Sequence, residues 1–166
     1  MSIPTLKDKF KVNLPLILLF IFFLLYFSDI LFLRGIFFSS DLRSNEFQLR
    51  VYVGRMLHQG KFPLWTPELF CGYPLLGDYM AGLYYPISLF FFYLLPEVAA
   101  FNYFILFHYL LILIFVYFYA RLIGISNLGS MVSSLIFTYG GHAIVRTAQS
   151  THLVALTAFP IVLTFL

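Results

Sequence analysis

The sequence predicts an all-α integral membrane protein with about four transmembrane helices and one large outer loop. Three observations lead there. Hydrophobic residues make up 61% of the 166 residues and charged residues only 10%, too little polar surface to cover a water-soluble core of this length. Several apolar runs approach the roughly 20 residues needed to cross about 30 Å of hydrocarbon. The charges collect in a polar island from Ser39 to about Tyr84, which also holds the only Trp, Trp65, and the only Cys, Cys71.

The elements follow in chain order. Residues 1–13 form a basic tail with Lys7, Lys9 and Lys11. The apolar run behind it is too long for a cleavable signal, and no small-x-small site follows. That run, residues 14–34, is expected to stay as the first span, with the tail in the cytoplasm. Asp29 near its end reaches the outer interface. The charge rule is divided, because Arg34, Arg43, Arg50, Arg55, Lys61 and Arg146 then all lie outside. The first span with its lysines is taken to set the orientation, and basic residues folded into an interfacial helix do not count as free loop charges.

Residues 35–97 form the outer loop. Within it, 41–59 has helical periodicity: Leu42, Leu49, Val53, Met56 and Leu57 share one arc, with Arg43, Arg50 and Gly54 opposite. Glu46 and Arg50 stand at i,i+4 spacing for an ion pair. Ser39, Ser40 or Asp41 caps its start, and Gly60 with Pro63 ends it. An amphipathic, basic helix directly after a span is expected along the membrane surface. From Phe62 to Tyr85, repeated Gly and Pro exclude a long helix and predict an ordered aromatic loop with a short helical turn near Asp78. Tyr85 to Leu95 is apolar but too short to cross. A second span at 98–120, a cytoplasmic loop at 121–127, a third span at 128–146 and an outer loop at 147–152 follow. A fourth span starts at 153 and is still running at Leu166. Ending inside an apolar run suggests the N-terminal part of a longer chain. The lone Cys71 cannot form an internal disulfide, so the redox compartment is not legible.

The order Ser40-Asp41, Gly60-Lys-Phe-Pro-Leu-Trp-Thr-Pro, Gly72-Tyr-Pro-Leu-Leu-Gly-Asp, Gly82-Leu-Tyr-Tyr-Pro86, Ala120-Arg-Leu-Ile-Gly-Ile and Gly141-His-Ala-Ile-Val-Arg…His152 resembles the YfhO-type membrane proteins, within the polytopic GT-C-type glycosyltransferases. The likeness covers most of the chain from Ser39 onward. It implies a GT-C-like N-terminal part and transfer of a sugar from a polyprenyl-phosphate carrier to an acceptor at the outer face of the plasma membrane. It also implies further transmembrane helices, since such proteins are several times longer. A catalytic Asp or Glu stands early in the first outer loop of the group, and Asp41 matches it.

Each candidate residue carries a chemical and a structural reading. Asp41 serves as general base toward an acceptor hydroxyl, or as a helix cap. Asp78 serves as a second carboxylate, or as a turn residue after Gly77. Arg43, Arg50, Arg55, Lys61 and Arg146, with His152, suit a lipid phosphate whose charge grows as the glycosidic bond breaks, or ordinary anionic headgroups. No cofactor is expected, although Asp41 with Asp78 would suit a divalent metal. A metal held by His142 and His152 needs a third ligand that only Asp41 or Asp78 could supply through folding, and hydrogen bonding at a helix end is their structural reading. His108 is expected to bond a neighbouring helix or face a cavity. The rings around Trp65, Tyr73, Tyr79, Tyr84 and Tyr85 fit sugar stacking or an interfacial aromatic belt. The expected partners are membrane lipids and the lipid-linked sugar, with no nucleic acid. The alternative is a non-enzymatic membrane protein, a transporter or assembly-factor fragment, whose polar loop binds a partner or lipid.

Overall fold

A computed structural model describes residues 14–37 and 46–166. The chain is mostly helical. Its elements are α1 (Leu14–Tyr26), the one-turn α2 (Ser28–Leu31), α3 (Phe47–His58), a two-stranded ladder of β1 (Trp65–Thr66) and β2 (Tyr73–Pro74), α4 (Pro86–Leu94), α5 (Glu97–Leu122), α6 (Asn127–Tyr139), α7 (Gly141–Arg146) and α8 (Ser150–Phe165). Two 3-10 turns, Leu75–Gly77 and Tyr79–Ala81, follow β2.

The long helix α5 is the axis of the fold. It is apolar on every side, and Ala100, Phe101, Ile105, Ile112 and Tyr117 are fully enclosed. α6 lies antiparallel to it: Ser134 Oγ donates to the Leu113 carbonyl at 2.6 Å, and Tyr109 OH, nearer the start of α5, donates to the Ala143 carbonyl at 3.3 Å. α8 runs in the direction of α5. Phe47, which follows the partner of Ser150, packs edge-on against Phe101, while Thr164 Oγ1 reaches the Phe115 carbonyl. α1 adds Leu19 and Phe23 to the same core, with Phe27 just after it. The chain beyond α1 is pinned on α5 through polar bonds. Tyr103 OH donates to the Leu31 carbonyl at 3.0 Å, and Asn102 Nδ2 donates to the Gly35 carbonyl at 2.9 Å. Asn102, fully buried, is satisfied this way, as a buried amide must be.

Among the described residues, two helical stretches are long and apolar enough to cross a membrane, Glu97–Leu122 and Asn127–Arg146. At 1.5 Å per residue the first spans about 39 Å. These match the expected second and third spans within one or two residues. The first span, expected over 14–34, and the fourth, expected only as a start from 153, are shorter apolar helices within the described residues. Over the described residues α1 and α8 are apolar helices of 13 and 16 residues. The expected 14–34 span divides because the chain turns at Phe27, forms one further turn and leaves it through Leu33 at φ 56°. The third span is interrupted at Gly140, whose extended backbone (ψ 154°) separates α6 from α7.

The polar island folds as a cap beside this bundle. The expected 41–59 helix is present over Phe47–His58; its first residues, and the basic tail, lie outside the described residues. Both of its sides are covered, which the single apolar arc did not predict. Leu49 and Val53 pack with Leu75, Ala81 and Leu83 of the loop. On the other side Val51 joins the main core, and Gly54 lies so close to α4 that a Cβ there would come within 2.9 Å of the Phe92 carbonyl oxygen. The absence of a side chain at Gly54 allows that approach. The aromatic loop closes through the antiparallel ladder, with Trp65 opposite Pro74 and Thr66 opposite Tyr73.

Candidate functional site

The sequence-derived site residues fall into four places. Asp41 and Arg43 lie outside the described residues.

Asp78 stands at the start of the Tyr79–Ala81 turn. Its Oδ1 accepts the Met80 backbone N–H at 2.7 Å, and its Oδ2 accepts Tyr73 OH at 3.1 Å. A short polar side chain directly before a helical turn is the residue type that caps it. That carboxylate holds Tyr73 protonated, raising its hydroxyl above the usual phenol value through the hydrogen bond first and the nearby charge second. Asp78 is half-buried and borders a cavity of about 220 Å³ shared with Gln48, Phe70 and Tyr73. It is a fixed carboxylate with one lone-pair side on each oxygen already used.

Arg50 is 2% exposed. Its Nη1 donates to Ser88 Oγ at 2.6 Å, and the guanidinium lies over the Phe104 ring, 4.7 Å from its centroid, within cation–π range. Nε has no partner among the described residues. Burial lowers its pKa to about 10, with the Glu46 charge acting in the opposite sense. Arg50 therefore stays charged at neutral pH. The loop passes over it at Gly82, in the left-handed region at φ 70°, where a Cβ would fall 2.6 Å from Nη1 and 2.8 Å from Ser88 Oγ. No side chain fits between loop and guanidinium.

The expected Glu46–Arg50 ion pair does not form. Glu46, also 2% exposed, turns toward α8 instead. Its Oε2 accepts the Ser150 backbone N–H at 2.8 Å and the Ser150 hydroxyl, and Oε1 accepts Thr151 Oγ1 at 3.0 Å. The carboxylate caps the first turn of α8 from 104 residues away. Free N–H groups and the positive helix end both favour an anion there.

Beside Arg50, Tyr85 OH lies 2.8 Å from His108 Nε2, and His108 Nδ1 lies 2.7 Å from the Phe104 carbonyl. A carbonyl only accepts, so Nδ1 carries the proton and Nε2 accepts from Tyr85. His108 is thus tied to its own helix and to the start of α4, bearing out the expectation of a bond to a neighbour. Burial raises the Tyr85 hydroxyl, with Arg50 opposing.

Arg55 pairs with Glu97 at 2.6 Å, with both side chains largely in solvent; the hydrogen bond and then the charge of Glu97 raise its pKa. It joins the end of α3 to the start of α5. Lys61 is exposed just beyond α3. At the other corner, Arg146 Nη1 lies 3.1 Å from His152 Nδ1. The guanidinium can only donate, so His152 accepts through Nδ1 and carries its proton on Nε2. His142 is exposed and outside that contact. Among the described residues, no three His, Cys, Asp or Glu gather as a metal ion would require.

The sequence pointed to Asp78 and to the Arg146–His152 corner, and the structure gives both a defined geometry. It missed the capping role of Glu46, the Arg50–Ser88 bond and the Tyr85–His108 bond. Only His108, a lone imidazole in an apolar run, left a local signal. Compared with family models, curated proteins and solved structures, the chain matches none.

Proposed function

We propose that the chain is a multi-pass membrane protein with its N-terminus in the cytoplasm. In this reading its loop carries a sugar-transfer site at the outer face, and the chain forms the N-terminal part of a polyprenyl-phosphate-dependent glycosyltransferase of the YfhO type. The observation that carries it is Asp78, a carboxylate fixed by two hydrogen bonds at the edge of a cavity, in a loop packed on α3. The transfer needs a base. A carboxylate, Asp41 by resemblance or Asp78 by geometry, takes the proton as the acceptor oxygen bonds to the anomeric carbon and the carrier phosphate departs with the electron pair. Leaving-group charge needs accessible cations. Arg50 is enclosed and Arg55 is paired with Glu97, so the reading rests that role on Lys61 and on Arg146 beside His152, with Arg43 as a further cation.

A second reading is favoured by one observation. The two bonds of Asp78 are those of a turn cap, and Glu46, Arg50 and Arg55 are all engaged in holding the fold. A non-enzymatic membrane component, binding a partner or lipid through the same loop, uses those residues equally well.

The test is transfer of radiolabelled hexose from a polyprenyl-phosphate hexose, in lipid vesicles, by the whole protein of which this chain forms the N-terminal part. Replacing the responsible base, through Asp41→Asn or Asp78→Asn, is expected to lower transfer by about 10²–10⁴ while leaving membrane insertion intact. Absence of transfer by the unaltered whole enzyme overturns the enzymatic reading, and full transfer by both variants overturns the assignment of either carboxylate as the base.

A further inference from the structure

α4 and α5 form an antiparallel hairpin joined by Leu95 and Pro96. Near the turn Phe92 packs on Phe101, further along Phe91 packs on Phe104 and Phe107, and Tyr85, just before α4, bonds His108. At 1.5 Å per residue, Phe101 lies about 6 Å and His108 about 16 Å along α5 from Glu97. α4 therefore begins beside the middle of α5 and climbs back to its start. In the membrane reading α5 crosses the bilayer. Its length of about 39 Å exceeds about 30 Å of hydrocarbon by about 9 Å. Even with all of that excess outside, His108 lies about 7 Å beneath the hydrocarbon boundary.

The side chains of α4 suit that depth. The helix carries no charge, and its only polar side chains are Ser88 and Tyr93. Ser88 faces inward, where its hydroxyl accepts from Arg50. Phe90, Tyr93 and Leu94, at i, i+3 and i+4, form one outward stripe and are 60%, 52% and 56% exposed. Single exposed apolar residues are ordinary, whereas a contiguous stripe marks a contact surface. The chemistry along the stripe is graded. Phe90 lies toward its inner end, with its ring against Phe91. Tyr93 lies nearer the turn, where the His58 ring stacks on it at 5.5 Å. The Arg55–Glu97 pair stands at the start of α5 itself. Hydrocarbon, then an amphipathic ring, then charge is the order that a membrane boundary imposes.

The backbone does not oppose entry into lipid. Pro86 opens α4 without an N–H to satisfy, and the Leu89 and Leu95 N–H groups bond the Tyr85 and Phe91 carbonyls. Irregular backbone at membrane depth is tolerated where protein covers it. We infer that α4 is a re-entrant helix whose Phe90, Tyr93 and Leu94 stripe lies against the acyl chains of outer-leaflet phospholipid, with Phe90 within the hydrocarbon and Tyr93 at its boundary. The occupant is fixed by continuity, because the medium around the first half of α5 is also the medium around the helix packed along it. α3, covered on both sides, is then not the element that meets lipid. The inference rests on the membrane reading above and is independent of sugar transfer.

Because Trp65 is the only Trp, a single reporter can be moved along the stripe. The full chain carrying Trp65→Phe with either Phe90→Trp or Tyr93→Trp is reconstituted in phosphatidylcholine vesicles. These contain phosphatidylcholine brominated either deep in the acyl chain or close to the glycerol. Both side chains point outward, so neither substitution fills a packed core. Leu94→Trp, which leaves the His58 stack intact, repeats the boundary measurement. The reporter at 90 is expected to be quenched several-fold more by deep bromine than by shallow, and the reporters at 93 and 94 more by shallow. Aqueous iodide is expected to quench the reporter at 90 several-fold less than it quenches free N-acetyltryptophanamide. Iodide quenching there at the level of the free fluorophore puts α4 in water and overturns the inference. Protection from iodide and bromine together shows that protein covers the stripe, which overturns it as well. The same ratio of deep to shallow quenching at every position describes a helix lying flat and refutes re-entry. Failure of the unaltered chain to float with the vesicles overturns the membrane reading itself.

Discussion

Gly82→Ala is the substitution whose cost the structure resolves most sharply. The backbone there is left-handed at φ 70°, and Gly60 has nearly the same φ, 71°, with nothing within 4 Å of its missing Cβ. Both positions therefore carry the same backbone penalty for an L-residue, about 1–2 kcal/mol. Only Gly82 adds a clash, with the methyl 2.6 Å from Arg50 Nη1 and 2.8 Å from Ser88 Oγ. Arg50 cannot swing away cheaply, since it is enclosed, bonded to Ser88 and stacked on Phe104. Overpacking of that kind adds about 1–3 kcal/mol. Gly82→Ala is thus expected to cost about 2–5 kcal/mol in total, and Gly60→Ala about 1–2. For a chain of this length each kcal/mol moves the unfolding midpoint by about 2–4 °C, so the two variants separate by several degrees in thermal unfolding of the full chain in lipid nanodiscs. Equal midpoints for the two variants would refute the claim that the loop rests on the guanidinium.

Other expectations follow from the same contacts. Glu46→Gln removes the charge that caps α8 and leaves an amide N–H₂ facing hydroxyl groups that now donate; about 1.5–3 kcal/mol per charged hydrogen bond is at stake, read as a lower midpoint and faster amide exchange near Leu153, and an unchanged midpoint would show the cap to be idle. Tyr73 is expected to ionise above the usual phenol value in a spectrophotometric titration, because Asp78 favours its protonated form; its contribution to stability is present below about pH 10 and lost as pH rises through the raised value, and Asp78→Asn should return it toward normal. Cys71 is exposed and is the only thiol, so an impermeant maleimide applied to intact cells should label it from outside; labelling confined to inside-out vesicles reverses the orientation.

What was legible in the sequence was whatever depends on neighbours along the chain. The run at 98–120 became a helix over Glu97–Leu122 because its hydropathy needs no partner to be read. Asp78 was legible as a turn residue for the same reason. The apolar arc of α3 marked Leu49 and Val53 for burial, but read them against the membrane surface where they meet the loop, and it placed Arg50 and Gly54 on an open face. Gly54 meets α4 through bare backbone and Arg50 meets an aromatic ring, contacts that carry no hydrophobic period. Glu46 looked like half of an i,i+4 pair because its true partner lies in the last helix. The division of the first span followed from turns at Phe27 and Leu33, in a stretch whose composition alone suggests an unbroken helix.

The bond between Glu46 and the start of α8 also sets a clock. Ribosomes add about 5–20 residues per second, so the 104 residues separating Glu46 from Ser150 represent about 5–20 s of synthesis. Throughout that interval the carboxylate exists without its eventual donors, and nothing yet made can stand in for the missing helix end. A charge that ends up sealed from solvent must therefore wait in a hydrated setting until α8 arrives. The latch closes only once α8 is made, so the polar cap and the helices from α3 to α8 mature together rather than in chain order.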